Sequence, residues 1–516
     1  MQNYRLANAI TTIIFVTYLL IVSLLWCLTE TVNHDEHQFM ASAFMVAQLG
    51  FHPYQDFAYF HMPNLVYLYA PFFLTAYPFM LARIFVGICG FGICLSIFLY
   101  ARSLVSGHGR LIRLLVPICV TALLIHSPLL WNASSHVWNH TPSTFCAVIA
   151  FLLHCHAIRS DENQLIKFFL SGISLGMAIG IRLSFAPLIV PFIAAIAVFP
   201  LGTFRTKGIQ GFTFVIGVLF ANAAAVYFFF TSYQDFWFGN LGYAKLNTIY
   251  REEMSFTRAM TLAGKFKYLI DKVFRHPSEL LIVVFTLYSF ILFIIDRVRN
   301  LKNSRFEIIF LLVSLPFLSL GCFAPTPSWH QYFFALIPFF ILIILYTTSS
   351  LRENVFVEAV LPLFVAFAFI SFIYGSPFTK SSIIDVFKRT RLLTPIQIQR
   401  EIEEVKSYVN LKNEKGKILT LSPLYAVVSN LPIYEEFVTG PFAWRVSHLI
   451  SEEEAINRGM PLRSQIKSFI DKRRPYAILT GRERKQLEIP IMEAARELGY
   501  QPKKTSSGIV VWLSPR

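Results

Sequence analysis

Two adjacent carboxylates, Asp35 and Glu36, follow closely on an apolar stretch at 9–28 that is long enough to cross a bilayer as one helix. A carboxylate held at a membrane surface can take the proton of a hydroxyl or amine as that group attacks an electrophile, a contribution of about 100- to 10,000-fold. Such a step also needs positive charge on whatever departs. The chain offers three cations at the ends of apolar segments: Arg83, Arg182 in Gly180-Ile181-Arg182-Leu183-Ser184, and His330, which precedes Gln331 and Tyr332. An arginine at membrane depth is costly, so it either snorkels to the interface or pairs with something functional. A third acid, Asp56 in Pro53-Tyr54-Gln55-Asp56-Phe57, is either a second functional carboxylate or a turn former.

The elements that must position these groups are mostly membrane helices. The 516 residues are 55% hydrophobic and 15% charged, a composition outside the soluble globular range. The N-terminus is too short and too weakly basic for a cleaved signal, so 9–28 reads as a retained helix. Further apolar windows fall at 77–101, 111–130, 142–158, 167–183, 186–203, 210–230, 279–296, 305–323, 332–349 and 354–374, giving about 11 transmembrane helices. The pair at 167–203 also reads as a re-entrant hairpin, because Pro187 and Pro191 interrupt it. Threading the spans alternately puts four basic clusters, Arg102 to Arg113, Arg159 to Lys167, Arg205 to Lys207 and Arg297 to Arg305, on one side. By the positive-inside rule that side is cytoplasmic. Loops 29–76 and 231–278 and everything after Lys380 then lie outside. Within the first of these loops, Phe39, Met40, Ala43, Phe44, Val46, Ala47 and Leu49 recur three and four apart, the pattern of an amphipathic helix in the interface, ended by Gly50 and Pro53. Residues 64–76 read as a short interfacial helix or as part of the second span.

Beyond Lys380 the pattern changes to that of a small soluble α/β domain, with strands at 417–421, 476–480 and 508–513 and helices at 452–470 and 486–498. The expected organisation is therefore a membrane domain at 1–379 and a C-terminal domain at 380–516.

The first loop resembles that of the GT-C superfamily of polytopic glycosyltransferases, which includes protein O-mannosyltransferases and bacterial aminoarabinose transferases. The matching features are the Asp35-Glu36 pair just past the first span, the helix after it, the Gly50-x-x-Pro53-Tyr54-x-Asp56 turn, and Pro63 before the next apolar sequence. His330-Gln331-Tyr332 followed by Pro338 is similar to a late motif of the family, with His where an Arg is usual. The resemblance implies a polyprenyl-phosphate-linked sugar donor, a glycan, lipid or protein acceptor, and the role of catalytic base for Asp35. Glu36, pointing elsewhere on a helix, would hold the loop or the acceptor. Arg83, Arg182 and His330 become candidates for the donor phosphate, with Asp56 and Tyr332 as further contacts. The loop at 131–141 is dense in amides, hydroxyls and Trp rings, so Asn139 and His140 join the candidates, although an interfacial aromatic belt has the same composition.

Other chemistries are less well served. The seven cysteines lie in or beside apolar segments without a Cys-x-x-Cys pair, and read as packing residues. His34 and His37 flank the acid pair without the spacing of a helical zinc pair, so neither a metal nor another cofactor is expected. The net charge of +15 suits anionic membrane lipids and a phosphorylated lipid substrate; a chain so largely in lipid has little surface for nucleic acid. No Gly-rich phosphate loop of nucleotide-binding type is present. A transporter or flippase for lipid-linked saccharide is the rival reading, but transporters carry repeats and mid-bilayer ionisable groups, whereas charges here cluster at span ends. A surface-polysaccharide ligase or polymerase would carry its main outer loop late in the chain. The expected location is the inner, cytoplasmic membrane with the C-terminal domain on the periplasmic side. Alkaline phosphatase fused after Arg516 should accordingly be active and phosphatase fused at Ser106 inactive; an active Ser106 fusion reverses the threading.

Overall fold

The computed structural model describes residues 2–515 apart from 161, 200–202, 299–305, 352–354, 390 and 410–415. Most of the basic cluster from Arg297 to Arg305, and the ends of the windows at 186–203 and 354–374, therefore lie outside the described residues. Among the described residues eight helices are long and apolar enough to cross a membrane, beginning with helix α1 (Gln2–Thr29), and two bent pairs bring the number to ten if each pair is one span. The chain is a multi-pass membrane protein. Of the eleven expected crossings, 186–203 is the one that falls short. It is a shorter apolar stretch, Leu183–Val198, that opens as a 3-10 turn around Pro187.

The bends have local causes. Pro128 keeps Ser127 extended, and Arg110–Ile125 meets Pro128–Ser134 at 61°. The freed amides there are capped from another helix: Glu279 Oε1 accepts from Ser127 Oγ and from the Leu129 amide, both at 2.8 Å. Between Phe204–Ala221 and Ala223–Thr231 the bend is 69°, with Asn222 donating to the Gly176 carbonyl at 2.8 Å. That carbonyl belongs to Gln164–Ile181, which lies directly against Phe204–Ala221. A Cβ added at Gly172 or Gly176 would overlap the carbonyl oxygens of Phe214 or Val218. Small residues that let helix backbones touch are the usual means of tight packing in lipid.

Helix α2 (His34–Leu49) carries the acid pair in its first turn. Asn33 caps it by accepting from the Asp35 amide at 3.0 Å, Glu36 reaches back to the Asn33 amide at 2.8 Å, and Gly50 closes it in the left-handed conformation at φ 68°. The expected interfacial position is not observed. Residues 36–45 are all buried, polar ones included, because α2 is covered on both sides. After it, Asn64–Tyr69 and Ala70–Leu74 are short helices separate from the span Pro78–Leu104.

The second cover is the C-terminal segment, whose short helix Leu424–Val427 lies against α2, with Tyr425 5.9 Å from His37 between ring centroids, in front of a four-stranded sheet. Strands β1 (Ile418–Thr420), β2 (Ala477–Thr480), β3 (Gln501–Lys504) and β4 (Val510–Leu513) lie in the order β1-β2-β4-β3, parallel between β1 and β2 and antiparallel elsewhere. The two-residue alternation of the strands separates two cores. Leu419, Ile478 and Trp512 pack with the helices Ile466–Arg473 and Lys485–Glu497. Ile418, Ala477, Leu479 and Val511 pack in one cluster with Phe39, Met40, Ala43 and Phe44 of α2 and with Val86 of Pro78–Leu104. The three strands expected from apolar runs are present. The fourth, β3, is an exposed Gln-Pro-Lys-Lys edge with no apolar signal, where Pro is tolerated. The expected helix at 452–470 is two helices, Glu452–Asn457 and Ile466–Arg473, parted at Gly459 with φ 64°.

One ion pair ties these parts together. Glu36 and Arg83 are each fully buried; Arg83 Nε and Nη2 both lie 2.7 Å from the two Glu36 oxygens, and Glu36 also accepts from the Val137 amide at 2.7 Å. Arg83 further donates to the carbonyls of Cys27 at 2.8 Å, Glu30 at 3.2 Å, Thr31 at 3.1 Å and Ser135. Removing one partner strands a buried charge, so Arg83→Ala should cost about 3–5 kcal/mol in detergent-solubilised protein. Arg83→Lys should recover only part, since an ammonium lacks the fork. A melting temperature unchanged in Arg83→Ala would contradict this account.

Candidate active site

At the end of the bundle where α2 and the sheet meet, a cavity of about 730 Å³ opens. Asp35 lies on its wall because Glu36 does not. Successive helical residues point about 100° apart, and Glu36 is turned inward to Arg83, which leaves Asp35 facing the space between the helices. Its carboxylate is 3.1 Å from His34 Nε2 and remains partly open to solvent. Burial raises its pKa, but His34, His61 and the Arg445 guanidinium outweigh burial and hold the group below the ordinary aspartate value. Asp35 is thus ionised and available as a proton acceptor.

Arg182 faces the same cavity from the end of Gln164–Ile181, where the backbone turns extended before Pro187. Its guanidinium sits 4.7 Å from the Tyr332 ring centroid and contacts His140 Nδ1, and the His140 and Tyr332 rings are 5.5 Å apart. Asn139, beside His140, lines the cavity with a side-chain amide that makes no hydrogen bond among the described residues. The rest of the wall is largely apolar, including Phe39, Ile181, Leu183, Leu320 and Phe323. The arrangement sets an ionised carboxylate and a fixed guanidinium in one chamber whose remaining surface suits a hydrocarbon chain.

Asp35, Asn139, His140, Arg182 and Tyr332 therefore share one cavity, and four other candidates lie elsewhere. Glu36 and Arg83 neutralise each other, with no free acceptor or donor turned to the cavity. The physical reason is burial: neither charge is stable there except against the other. Asp56 Oδ2 accepts from the His52 amide at 2.7 Å and closes the turn, next to the Arg458–Asp235 pair in a separate small cleft. His330 Nε2 faces Asn132 Oδ1 at 3.0 Å, behind the cavity wall.

The cavity also holds groups that the spacing of charged residues did not reveal. Tyr243 stacks on Phe60 at 4.0 Å between centroids, lines the cavity, and keeps a buried hydroxyl without a partner. Burial raises its pKa, so it stays a neutral donor. His61, its ring tilted against Phe39 at 5.1 Å between centroids, has its pKa pulled to about 4 by burial and is neutral at pH 7. The loop at 231–278 supplies Tyr243 as the start of a helix, Tyr243–Glu253, one of several short helices along it. Its aromatic residues in a polar setting were the available signal.

No family model and no curated protein matches the sequence. In structure, the chain is similar to ArnT from Cupriavidus metallidurans in the apo state, at TM-score 0.62 and 10% identity over 99% of this chain and 100% of that one. It is similar to the same protein bound to undecaprenyl phosphate, at TM-score 0.63 and 10% identity over 98% and 99% of the two chains. The Archaeoglobus fulgidus oligosaccharyltransferase in the apo form matches at TM-score 0.51 and 10% identity over 98% of this chain and 74% of that one. At such identities the likeness is one of fold alone: the chain shares the fold of ArnT over nearly its whole length.

One wall of the cavity depends on an absent side chain. Gly321 and Ser184 both line the cavity, and a Cβ at Gly321 would overlap the Ser184 carbonyl oxygen. Gly321→Ala must push the 183–188 turn, which follows Arg182, off Phe306–Phe323. The expected cost is about 1–3 kcal/mol, read as a lowered melting temperature. A variant as stable as the parent would show that this wall yields freely.

Proposed function

We propose that this chain is an inverting glycosyltransferase that moves a sugar from a polyprenyl-phosphate-linked donor to an envelope acceptor at the outer, periplasmic face of the inner membrane. One observation carries the reading: a carboxylate held in its ionised form and a guanidinium line one chamber whose remaining wall is largely apolar. The fold supports it, being that of proteins one of which has been seen with undecaprenyl phosphate bound. The four basic clusters support the orientation. In this reading the membrane unit at 1–379 holds the reacting groups, and the unit at 380–516 roofs them.

The chemistry follows from the positions. The donor's phosphate lies against Arg182, its hydrocarbon tail along the apolar wall, and its anomeric carbon toward Asp35. The acceptor hydroxyl or amine gives its proton to Asp35 as its lone pair attacks that carbon from the face opposite the phosphate. The carbon–oxygen bond to phosphate breaks in the same step, and the electron pair leaves with polyprenyl phosphate, whose added charge Arg182 stabilises. One displacement inverts the anomeric centre. His34, 3.1 Å from Asp35 and partly exposed, is placed to pass the proton to water. Asn139, His140 and Tyr332 orient the sugar or the phosphate, with His140 and Tyr332 also fixing the Arg182 guanidinium.

Purified protein with a polyprenyl-phosphate sugar tests this directly. Asp35→Asn keeps size and hydrogen bonding but cannot take a proton, so kcat should fall at least about 100-fold with donor binding little changed. Arg182→Ala should instead raise the donor KM, with partial rescue by Lys. The low pKa of Asp35 keeps the base ionised as the medium is acidified, so the acid limb of kcat/KM should fall below the ordinary aspartate value. Near-parental turnover in Asp35→Asn would end the mechanism.

A further inference from the structure

Outside the cavity lining lies a second group of cations to which this mechanism gives no substrate contact, although one of them, Arg445, helps to keep Asp35 ionised. Arg251 is in the last turn of Tyr243–Glu253, and Arg445 is in the helix Pro441–Val446 of the C-terminal segment. The two helices share an apolar cluster of Phe60, Tyr250, Ala443 and Val446. Arg251 is 9% exposed and Arg445 4%, and neither is ion-paired to a carboxylate among the described residues. Arg251 lies over the rings of Phe256 and Trp329, and its Nε has no hydrogen-bond partner. Arg463 joins them: its Nε donates to the Trp444 carbonyl at 2.8 Å, while Nη2 is buried and unpartnered.

The nearby acids attract the group without forming an ion pair with it among the described residues. Glu253 is engaged with His448 at 3.0 Å, and Asp35 with His34. Glu483 faces both His34 and Arg445 without an ion pair to either. Buried guanidinium groups that repel one another and leave N–H donors unmade are unfavourable unless an anion joins them. Their place is telling as well. Arg445 acts electrostatically on Asp35 and Tyr243, whereas Arg182 reaches the cavity from the end of Gln164–Ile181.

We propose that Arg251, Arg445 and Arg463 form a second anion site, on the aqueous side of Asp35, that holds a phosphate or carboxylate group carried by the acceptor. The assignment to the acceptor rests on the glycosyltransferase reading above; the anion site itself does not. With donor phosphate at Arg182 and the acceptor's anion at Arg251 and Arg445, the base lies between the two substrates, and both are drawn in by charge while only their neutral parts meet. Neutral acceptors of the same shape are then discriminated against, because they leave the guanidinium groups unpaired.

Two measurements separate the parts of this proposal. Inorganic phosphate is titrated into Arg182→Ala protein in phospholipid-free neutral detergent, so that neither the donor site nor a lipid headgroup answers for the result. The melting temperature should rise saturably, and the rise should vanish when Arg251→Gln and Arg445→Gln are added. Arg445→Lys, which keeps the charge, should retain part of it should the double change fail to fold. Equal stabilisation with and without the two arginines overturns the anion site, whatever the protein catalyses. In the second measurement, transfer from a purified polyprenyl-phosphate sugar is followed against increasing amounts of an envelope glycolipid extract. Arg251→Gln with Arg445→Gln should raise the half-saturating extract about tenfold or more and leave the donor KM unchanged. A rise in donor KM instead gives the site to the donor and overturns the proposal, while absence of transfer by the parent protein overturns the enzyme reading alone.

Discussion

Burying a charge away from water is tolerable only when its partner and the remaining hydrogen bonds are all present together. The Glu36–Arg83 pair meets that condition with groups from four places: the end of α1, the first turn of α2, the helix Pro78–Leu104 and the turn at 135–137. None of these can shift alone without exposing a charge to an apolar core. The pair therefore acts as a fixed point from which the orientation of α2 is measured. Since Asp35 is the neighbouring residue, its direction into the cavity is a consequence of where Glu36 is held. A carboxylate that lines the cavity is positioned by one that does not.

The rest of α2 is held from the opposite side by the C-terminal sheet, whose alternation gives it two buried faces. One face serves the sheet's own helices and the other completes the core around Phe39, Met40 and Phe44. The same segment brings Arg445 into electrostatic contact with Asp35. Membrane helices supply Arg182, His140 and Tyr332 to the cavity, while the C-terminal segment acts on it from behind α2, through Arg445 and through Phe442, whose ring lies 5.7 Å from that of His34.

Much of the architecture could be read along the chain because the signals were local. Apolar runs of span length, the helical spacing at 39–49 ended by Gly50, and short apolar strands each depend on neighbours in sequence. The resemblance of 30–63 to a known loop added the fold. What could not be read were relations across distance. Glu36 and Arg83 are 47 residues apart, and as isolated residues both look like site charges; only their contact makes them structural. The apolar stripe of α2 correctly indicated a helix, yet its polar face is buried too, since a sheet begun at Ile418 covers it. Strand β3 carries polar residues because an edge needs no apolar face. Asn139, His140, Arg182 and Tyr332 came from three separate span ends, and nothing in their spacing says that they meet.

The covering of α2 by the sheet also sets a timetable. A chain is made from its N-terminus at about 5–20 residues per second, and segments fold as they emerge. Helix α2 is among the first parts to leave the ribosome, but the strands that bury its second face are among the last. For a period on the order of tens of seconds the acid-bearing turn waits with Phe39, Met40 and Phe44 uncovered. A chain cut short before the C-terminal segment keeps this face of α2 uncovered, so truncated products carry apolar surface where the complete chain has a buried core.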